Sequence, residues 1–230
     1  MKTKKLLFAS PSCPAPASSG SLGIGIILLI ACCLLAVANS FSQATRLWAT
    51  YYSGTSTDYG GSVAVDPSDN VYMAGFTLSA AGIATVGAHD VSLGGTGDAY
   101  LVKFSAAGAR LWATYYGGTD TESCYSVATD ASGNVYLAGN TTSTTGIATA
   151  GAQQTTFGGS GGTGQGDAFL VKFNSAGVRQ WATYYGGTED EWGLSVATDA
   201  SGNVYLAGNT DSPSGIASGL GPSIGPRPAR

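Results

Sequence analysis

The sequence Trp48-Ala-Thr-Tyr-Tyr52 occurs three times in this chain of 230 residues. It returns as Trp112-Ala-Thr-Tyr-Tyr116 and as Trp181-Ala-Thr-Tyr-Tyr185, 64 and then a further 69 residues along the chain. Each copy precedes a Gly-Thr pair, a short acidic stretch, a Ser-Val-Ala run and an Asn-Val-Tyr-x-Ala-Gly run. Self-similarity at a period of this length predicts a repeat architecture in which each copy forms one supersecondary unit.

The second copy is complete and predicts four antiparallel strands. Ser126-Val-Ala-Thr129 and Asn134-Val-Tyr-Leu-Ala-Gly-Asn140 flank the turn sequence Asp-Ala-Ser-Gly, so together they predict a hairpin. The alternating run Asp167-Ala-Phe-Leu-Val-Lys-Phe173 predicts a third strand. After a second turn sequence, Val178-Arg-Gln-Trp-Ala-Thr-Tyr-Tyr185 predicts the fourth. One unit is therefore expected to form one small sheet.

The other two copies differ from this template in informative ways. In the first, Asp69 replaces the turn glycine, and aspartate tolerates left-handed backbone better than most residues. The link between strands two and three is five residues longer in the second copy, which contains the glycine-rich segment 158–166, and this tolerance predicts a surface loop. The third copy ends after Ile216 without strands three and four, and residues 217–230 are expected to be an unstructured tail.

Residues 1–40 have the composition of a signal peptide or membrane anchor. Three lysines among the first five residues precede the apolar segment 22–38, and Ala38-Asn39-Ser40 fits a small-x-small cleavage site. An uncleaved anchor stays open, because 17 apolar residues lie at the lower limit of a membrane span. Leu29-Ile-Ala-Cys32 also fits a lipoprotein box. All three alternatives predict that the repeats are extracellular or at the cell surface.

Charge and cysteine content exclude several classes of function. After residue 40 the chain has 14 acidic residues against 7 lysines and arginines, which argues against a nucleic-acid partner. Three of the four cysteines lie in the leader, and Cys124 alone follows it, so neither a disulfide framework nor a metal-type spacing is present. We expect no cofactor and no metal site.

The repeats resemble the bacterial β-propeller repeat called the SBBP repeat. The resemblance covers about residues 46–216 and is carried by Thr114-Tyr-Tyr-Gly-Gly118, by the hairpin Asp130–Thr141 and by Asp167-Ala-Phe-Leu-Val-Lys172. It implies an all-β fold, namely a partial, open β-propeller of four-stranded antiparallel blades, preceded by an N-terminal hydrophobic signal or anchor helix.

The resemblance implies blades at about 62–116 and 126–185, an incomplete third blade at 195–216, and one outer strand at 46–52. Closed propellers typically have about 4–8 blades. Three explanations of the difference stay open: a fragment of a larger propeller, a partner that supplies the other blades, or an open module that self-associates.

The three repeats place an acidic residue at the same position after the Gly-Thr pair, namely Asp58, Glu122 and Glu191. Where strands alternate in direction, the loop before strand one and the loop between strands two and three lie at the same end of the sheet. We therefore expect the three acids on a rim that binds a cation or a basic or hydroxyl-rich ligand. The alternative is a solvated, turn-forming loop. Trp192 beside Glu191 would favour sugar binding, but it has no counterpart in the other copies.

Other candidate residues have simpler interpretations. Asp66, Asp130 and Asp199 are predicted to be turn residues, because their surroundings lack the carboxylate spacing of a calcium loop. His89 is the only histidine and no serine lies in a nucleophile motif, so we expect no catalytic triad. Residues 158–166 lack the Gly-Lys-Ser/Thr ending of a phosphate loop.

The sequence thus predicts an exported, non-enzymatic surface scaffold or ligand- and protein-binding module. The expected partners are an unknown protein or polysaccharide and, through open blade edges, further copies of the chain, with membrane contact only through an uncleaved N-terminal segment. Two alternatives stay open. One is a carbohydrate-active enzyme that uses rim carboxylates, which would need two acids flanking one bond. The other is a truncated copy with no independent function.

Overall fold

The computed structural model describes residues 46–216, and every regular element within them is a β-strand. The strands are β1 (Asp58–Val65), β2 (Val71–Thr77), β3 (Asp98–Phe104), β4 (Arg110–Tyr116), β5 (Glu122–Thr129), β6 (Val135–Thr141), β7 (Asp167–Phe173), β8 (Arg179–Tyr185), β9 (Glu191–Thr198) and β10 (Val204–Thr210). No helix in this range could cross a membrane. The expected signal or anchor at 1–40 and the tail at 217–230 lie outside the described residues.

The strands form three antiparallel sheets, one for each repeat. β1 to β4 lie side by side in chain order, β5 to β8 repeat this arrangement, and β9 pairs with β10. The all-β prediction and the four-stranded antiparallel units are thereby confirmed, and the open sheets are consistent with a partial propeller. Within residues 46–216 the third unit has two strands, as its sequence predicts.

The first strand of each unit begins four residues earlier than its Ser-Val-Ala run predicts. β1, for example, starts at Asp58 and not at Ser62, because Asp58 pairs with Thr77 at the end of β2. A register shift between Gly60 and Ser62 absorbs one extra residue, which is the behaviour of a β-bulge. The acidic and glycine residues of this segment have little strand propensity, so pairing with the neighbouring strand determines their conformation.

The expected outer strand at 46–52 is not formed. Its seven residues have the same sequence as β4, yet residues 46–50 have no regular structure and Tyr51 forms only an isolated bridge. β4 is extended because it pairs with β3, whereas no described strand precedes 46–52. Residues 51–216 lie in one compact unit, and 46–50 belong to a second.

The hairpin turns match their predicted chemistry. The carboxylate of Asp66 accepts hydrogen bonds from the backbone N–H groups of Ser68 and Asn70, at 2.9 and 3.0 Å, and from the Tyr72 hydroxyl at 3.2 Å. Asp69 has a φ of 60°, the left-handed conformation that its glycine counterparts in the other two turns also adopt. The interpretation of the three aspartates as turn residues is therefore confirmed for all three units.

The repeated aromatic sequence joins one sheet to the next. Tyr116 is fully buried at the end of β4, where its ring packs on Phe169 and Phe173 with centroids 5.2 and 5.9 Å apart. Its hydroxyl donates a 3.1 Å hydrogen bond to the carbonyl of Ile147, which lies in the loop after β6. Tyr52 and Tyr185 donate the same bond at the corresponding positions. The second and third copies therefore fasten their own sheet to a loop of the following unit, and Tyr52 makes the same contact with the first unit.

Candidate functional site

The three predicted site acids lie beneath the rim and not on its surface. Asp58, Glu122 and Glu191 are 4%, 0% and 2% exposed, so their side chains are not solvated as the alternative interpretation, a solvated turn-forming loop, would require. The reason is internal hydrogen bonding: Glu122 accepts bonds from the backbone N–H of Gly118 at 2.8 Å and from the Thr141 hydroxyl at 2.5 Å. The same two bonds recur in the other units. Ligand binding by the three carboxylates stays a prediction.

The structure brings each of two predicted acids close to an aspartate that begins the third strand of the preceding sheet. Glu122 and Asp98 both lie against Gly117. A Cβ added at Gly117 would be 2.4 Å from Glu122 Oε2 and 2.8 Å from Asp98 Oδ1. Glu191 and Asp167 form the equivalent pair around Gly186, the counterpart of Gly117. The sequence signal for these partners is the aspartate that opens the third strand of both complete repeats.

Burial shapes the electrostatics of these paired acids. It raises the pKa of Asp98 to about 6, although the backbone N–H of Gly94 favours the ionised form, and the charge of Glu122 raises it further. Burial also raises the pKa of Asp167 to about 6. Within residues 46–216 no group of three or more histidine, cysteine or acidic side chains is arranged to hold a metal ion. Each pair joins the first residue of a third strand to the first residue of the following sheet.

The rim itself is built as the alternating strand directions predict. In the second unit the loop before β5 meets the loop after β6, where the N–H of Thr142 donates a 2.9 Å hydrogen bond to the carbonyl of Thr121. The first unit has the same junction, where the N–H of Leu78 donates a 2.9 Å hydrogen bond to the carbonyl of Thr57. The loop before each first strand and the loop after each second strand therefore share one end of their sheet.

The inserted glycine-rich loop is held in place by one carboxylate. Asp190 accepts bonds from the backbone N–H groups of Gly161, Gln165 and Gly166 at 2.8 to 2.9 Å, and from the N–H and hydroxyl of Thr163 at 3.0 and 2.6 Å. Burial alone would raise the pKa of Asp190, but these hydrogen bonds outweigh it and lower the pKa to about 2. The insertion is thus a defined structure that the corresponding loop of the first unit lacks.

A polar groove of about 560 Å³ lies between this loop and the loop before β5. It is lined by Asp120, Thr121, Ser123, Asn140, Thr142, Thr144, Phe157, Ser160, Gly164 and Gln165. Asn140 is 5% exposed and donates a 2.8 Å hydrogen bond to the carbonyl of Gln165, but its Oδ1 accepts none. Buried polar atoms are normally paired, so this acceptor would be satisfied by an ordered water or by a ligand group that donates a hydrogen bond.

Sequence reasoning missed this groove. The second and third units have Asn140 and Asn209 where the first has Phe76, and the five-residue insertion distinguishes the second unit from the first. These two differences between the units were the available signal. The exposed carboxylate of the groove belongs to Asp120, two residues before the predicted site residue Glu122.

Two further reactive side chains have packing roles. The His89 ring contacts Phe173 with centroids 5.6 Å apart, and burial lowers its pKa, as does the nearby Arg179. Cys124 is a buried free thiol whose pKa burial raises to about 12. A thiol of this kind is unreactive at neutral pH.

Consecutive four-stranded antiparallel sheets, each fastened to the next by a repeated aromatic sequence, define the class of β-propeller-repeat proteins. The family model described as "SBBP: Beta-propeller repeat" matches this chain three times, at residues 47–80, 111–147 and 180–213. The chain therefore contains three SBBP β-propeller repeats. Two of the matches run from the last strand of one sheet through the second strand of the next, so β3 and β7 lie outside all three.

A search among curated proteins finds a relative in Acanthamoeba polyphaga mimivirus, an uncharacterized WD repeat-containing protein. The two are 25% identical over 200 residues, which cover 72% of this chain. The chain spans 14% of the relative's length.

Proposed function

We propose that this protein is a non-enzymatic binding module that takes a hydroxyl-rich ligand, such as a polysaccharide, in the groove of the second sheet. The observation that carries the proposal is the unpaired Oδ1 of buried Asn140 beside that groove. Hydroxyl and amide side chains dominate the lining, and the exposed carboxylate of Asp120 can accept hydrogen bonds from sugar hydroxyls. Phe157 supplies one apolar surface for the face of a sugar ring.

The arrangement of carboxylates favours binding over hydrolysis. A glycosidase needs two carboxyl groups on either side of one glycosidic bond. Among the residues that line the groove, Asp120 is the only acid. The nearby Glu122 is buried and engaged by two internal hydrogen bonds, so its carboxylate is committed to the loop.

The binding proposal is tested on an array of immobilised polysaccharides, followed by titration calorimetry of the purified chain with the best oligosaccharide. Asp120→Ala removes the exposed acceptor, and we expect it to weaken binding about tenfold, because hydrogen bonds to charged groups are worth about 1.5–3 kcal/mol. Glu189→Ala is the matched control, since Glu189 occupies the aligned position in the third unit and lies outside the groove lining. Equal affinity of the two variants, or no binding by the native chain, would contradict the proposal.

We further propose that the module acts outside the cell or on its surface, as the basic and apolar composition of residues 1–40 suggests. Cells that express the full chain should export it, whereas cells that express a chain starting at residue 41 should retain it. Immunoblots of medium, membrane and soluble fractions measure the difference. Retention of the full chain in the soluble intracellular fraction would refute this part of the proposal.

A further inference from the structure

The rim of the first sheet carries an apolar patch that is open to solvent. Tyr59 of β1 and Phe76 of β2 are cross-strand partners, and their rings pack together with centroids 6.2 Å apart and planes 26° apart. Leu78 lies beside them, since a Cβ added at Gly97 would be 2.5 Å from the Phe76 ring and 2.9 Å from Leu78 Cδ2. Tyr59 is 50% exposed and Leu78 is 40% exposed. Tyr59, Phe76 and Leu78 are called the aromatic patch below.

The aromatic patch lies where the first sheet meets the second, and both of these sheets have four strands. Gly97, on which the patch rests, forms an isolated bridge with Thr121, and the hydroxyl oxygens of Thr96 and Thr121 are 2.6 Å apart. Thr121 also lines the polar groove of the second sheet. The patch and the groove are therefore neighbours at the rim, and Thr121 adjoins both.

The patch occupies, in the first unit, the positions that line the groove in the second. Its three residues are the counterparts of Ser123, Asn140 and Thr142, which all belong to the groove lining. Ser123 and Asn140 are cross-strand partners in the same register as Tyr59 and Phe76. The same place on the rim is therefore polar in one unit and aromatic in its neighbour.

The fold does not require aromatic residues at these positions. Phe76 lies between a glycine and a threonine that all three units share, and the second and third units form the same hairpin with asparagine in its place. The position of Tyr59 holds Ser123 in the second unit and Trp192 in the third. A contiguous exposed apolar patch with a polar rim is typical of a binding surface.

We propose that the aromatic patch is a second subsite for the polysaccharide of the groove, and that this polysaccharide is a cellulose-like glycan. The inference rests on the proposed function of the groove. In such a glycan, β-linked sugar rings form an extended chain, with hydroxyl groups at the ring edges and C–H groups on the ring faces. The C–H faces fit the rings of Tyr59 and Phe76. The hydroxyl edges fit the amide and hydroxyl groups of the groove. One glycan chain lying across Thr121 contacts both surfaces.

Two adjoining subsites make affinity depend on the length and shape of the ligand. Once one part of a long oligosaccharide occupies the groove, its contact with the patch is intramolecular and adds to the affinity. A short oligosaccharide occupies the groove alone. An α-linked, starch-like chain coils, so it does not lay a ring face on the patch while its hydroxyl edges lie in the groove.

The test is titration calorimetry of the full chain with cellotriose, cellohexaose and maltohexaose. We expect cellohexaose to bind about tenfold more tightly than the other two. Tyr59→Ser with Phe76→Asn gives the first unit the pair that the second unit carries, so this double variant should fold. It should bind cellohexaose about five- to tenfold more weakly, because the ring contact is lost, and cellotriose as the native chain does.

Two further variants serve as controls. Val63→Ala changes an exposed apolar residue of the same strand outside the patch, and it should bind both ligands like the native chain. Asp120→Ala, in the groove, should weaken the binding of both. If the double variant binds cellohexaose like the native chain while Asp120→Ala weakens it, the aromatic subsite is wrong and the groove proposal stands.

Other outcomes would also overturn the inference. Equal affinity for maltohexaose and cellohexaose, or binding of a different polysaccharide but not of cellohexaose, would refute the cellulose-like ligand alone. Failure to bind any polysaccharide would remove the groove proposal as well. Sedimentation supplies a second readout: a native dimer that becomes a monomer in the double variant would assign the patch to contact between copies of the chain.

Discussion

At the scale of single residues, the buried carboxyl pairs make the junctions between sheets sensitive to pH. Asp98 and Asp167 have pKa values raised to about 6, against about 3.9 in an unfolded chain, so the folded state holds their protons more tightly. Their stabilising effect is complete below about pH 4 and is lost as the pH rises through 6. Asp130 has the opposite effect on stability, because hydrogen bonds from Asn134 outweigh burial and lower its pKa.

We therefore predict that the free energy of unfolding decreases between pH 4.5 and 7, by about 1–3 kcal/mol for each raised carboxyl. Below pH 4 the stability should fall again as turn aspartates such as Asp130 become protonated. Asp98→Asn and Asp167→Asn should each flatten the upper part of the profile. Urea titrations at several pH values measure this, and a stability that increases steadily up to pH 7 would contradict it.

A second residue-scale prediction concerns the glycine between the paired acids. A Cβ at Gly117 would lie 2.4 Å from Glu122 Oε2 and 2.7 Å from Asp98 Cγ, so Gly117→Ala should destabilise the fold by about 1–3 kcal/mol through overpacking. Gly162→Ala is the control, because no atom lies within 4 Å of the added carbon there. Thermal unfolding compares the two variants, and equal midpoints would show that the junction relaxes around the methyl group.

At the scale of single elements, short β-prone runs bounded by turn sequences predicted the strands and their antiparallel order. They could not show the start of β1, where pairing with Thr77 extends a segment of low propensity. Nor could they show that 46–52 fails to form a strand although its sequence equals that of β4. Alignment of the repeats recovered Asp58, Glu122 and Glu191 but not their burial, which depends on threonines about 19 residues further along the chain.

The inserted loop gives a prediction at this scale. Asp190 holds residues 161–166 through five hydrogen bonds, so Asp190→Ala should raise amide hydrogen exchange throughout that loop and reduce ligand affinity in the adjoining groove. Exchange in β6 and β7 should stay as in the native chain. Glu189→Ala, one residue away, should leave the loop protected. Unchanged exchange in the Asp190→Ala loop would mean that backbone contacts alone order it.

At the scale of the whole molecule, position in the repeat array determines the environment of otherwise identical sequences. Stability in repeat proteins is approximately a sum of unit terms and nearest-neighbour interface terms. The second sheet is complete and packs against strands of both neighbours, since β5 contacts β1 and β9. The third sheet has two described strands and one open edge. Stability should therefore decrease from the second sheet to the third.

Hydrogen exchange can measure this gradient with an internal reference, because β6 and β10 share one sequence and hence nearly the same intrinsic exchange rates. We predict that amides of β10 exchange at least tenfold faster than those of β6, since within residues 46–216 no third strand pairs with β10 as β7 pairs with β6. Equal protection of the two strands in the free chain would mean that the edge is already covered, and the open-edge account of the third unit would then be wrong.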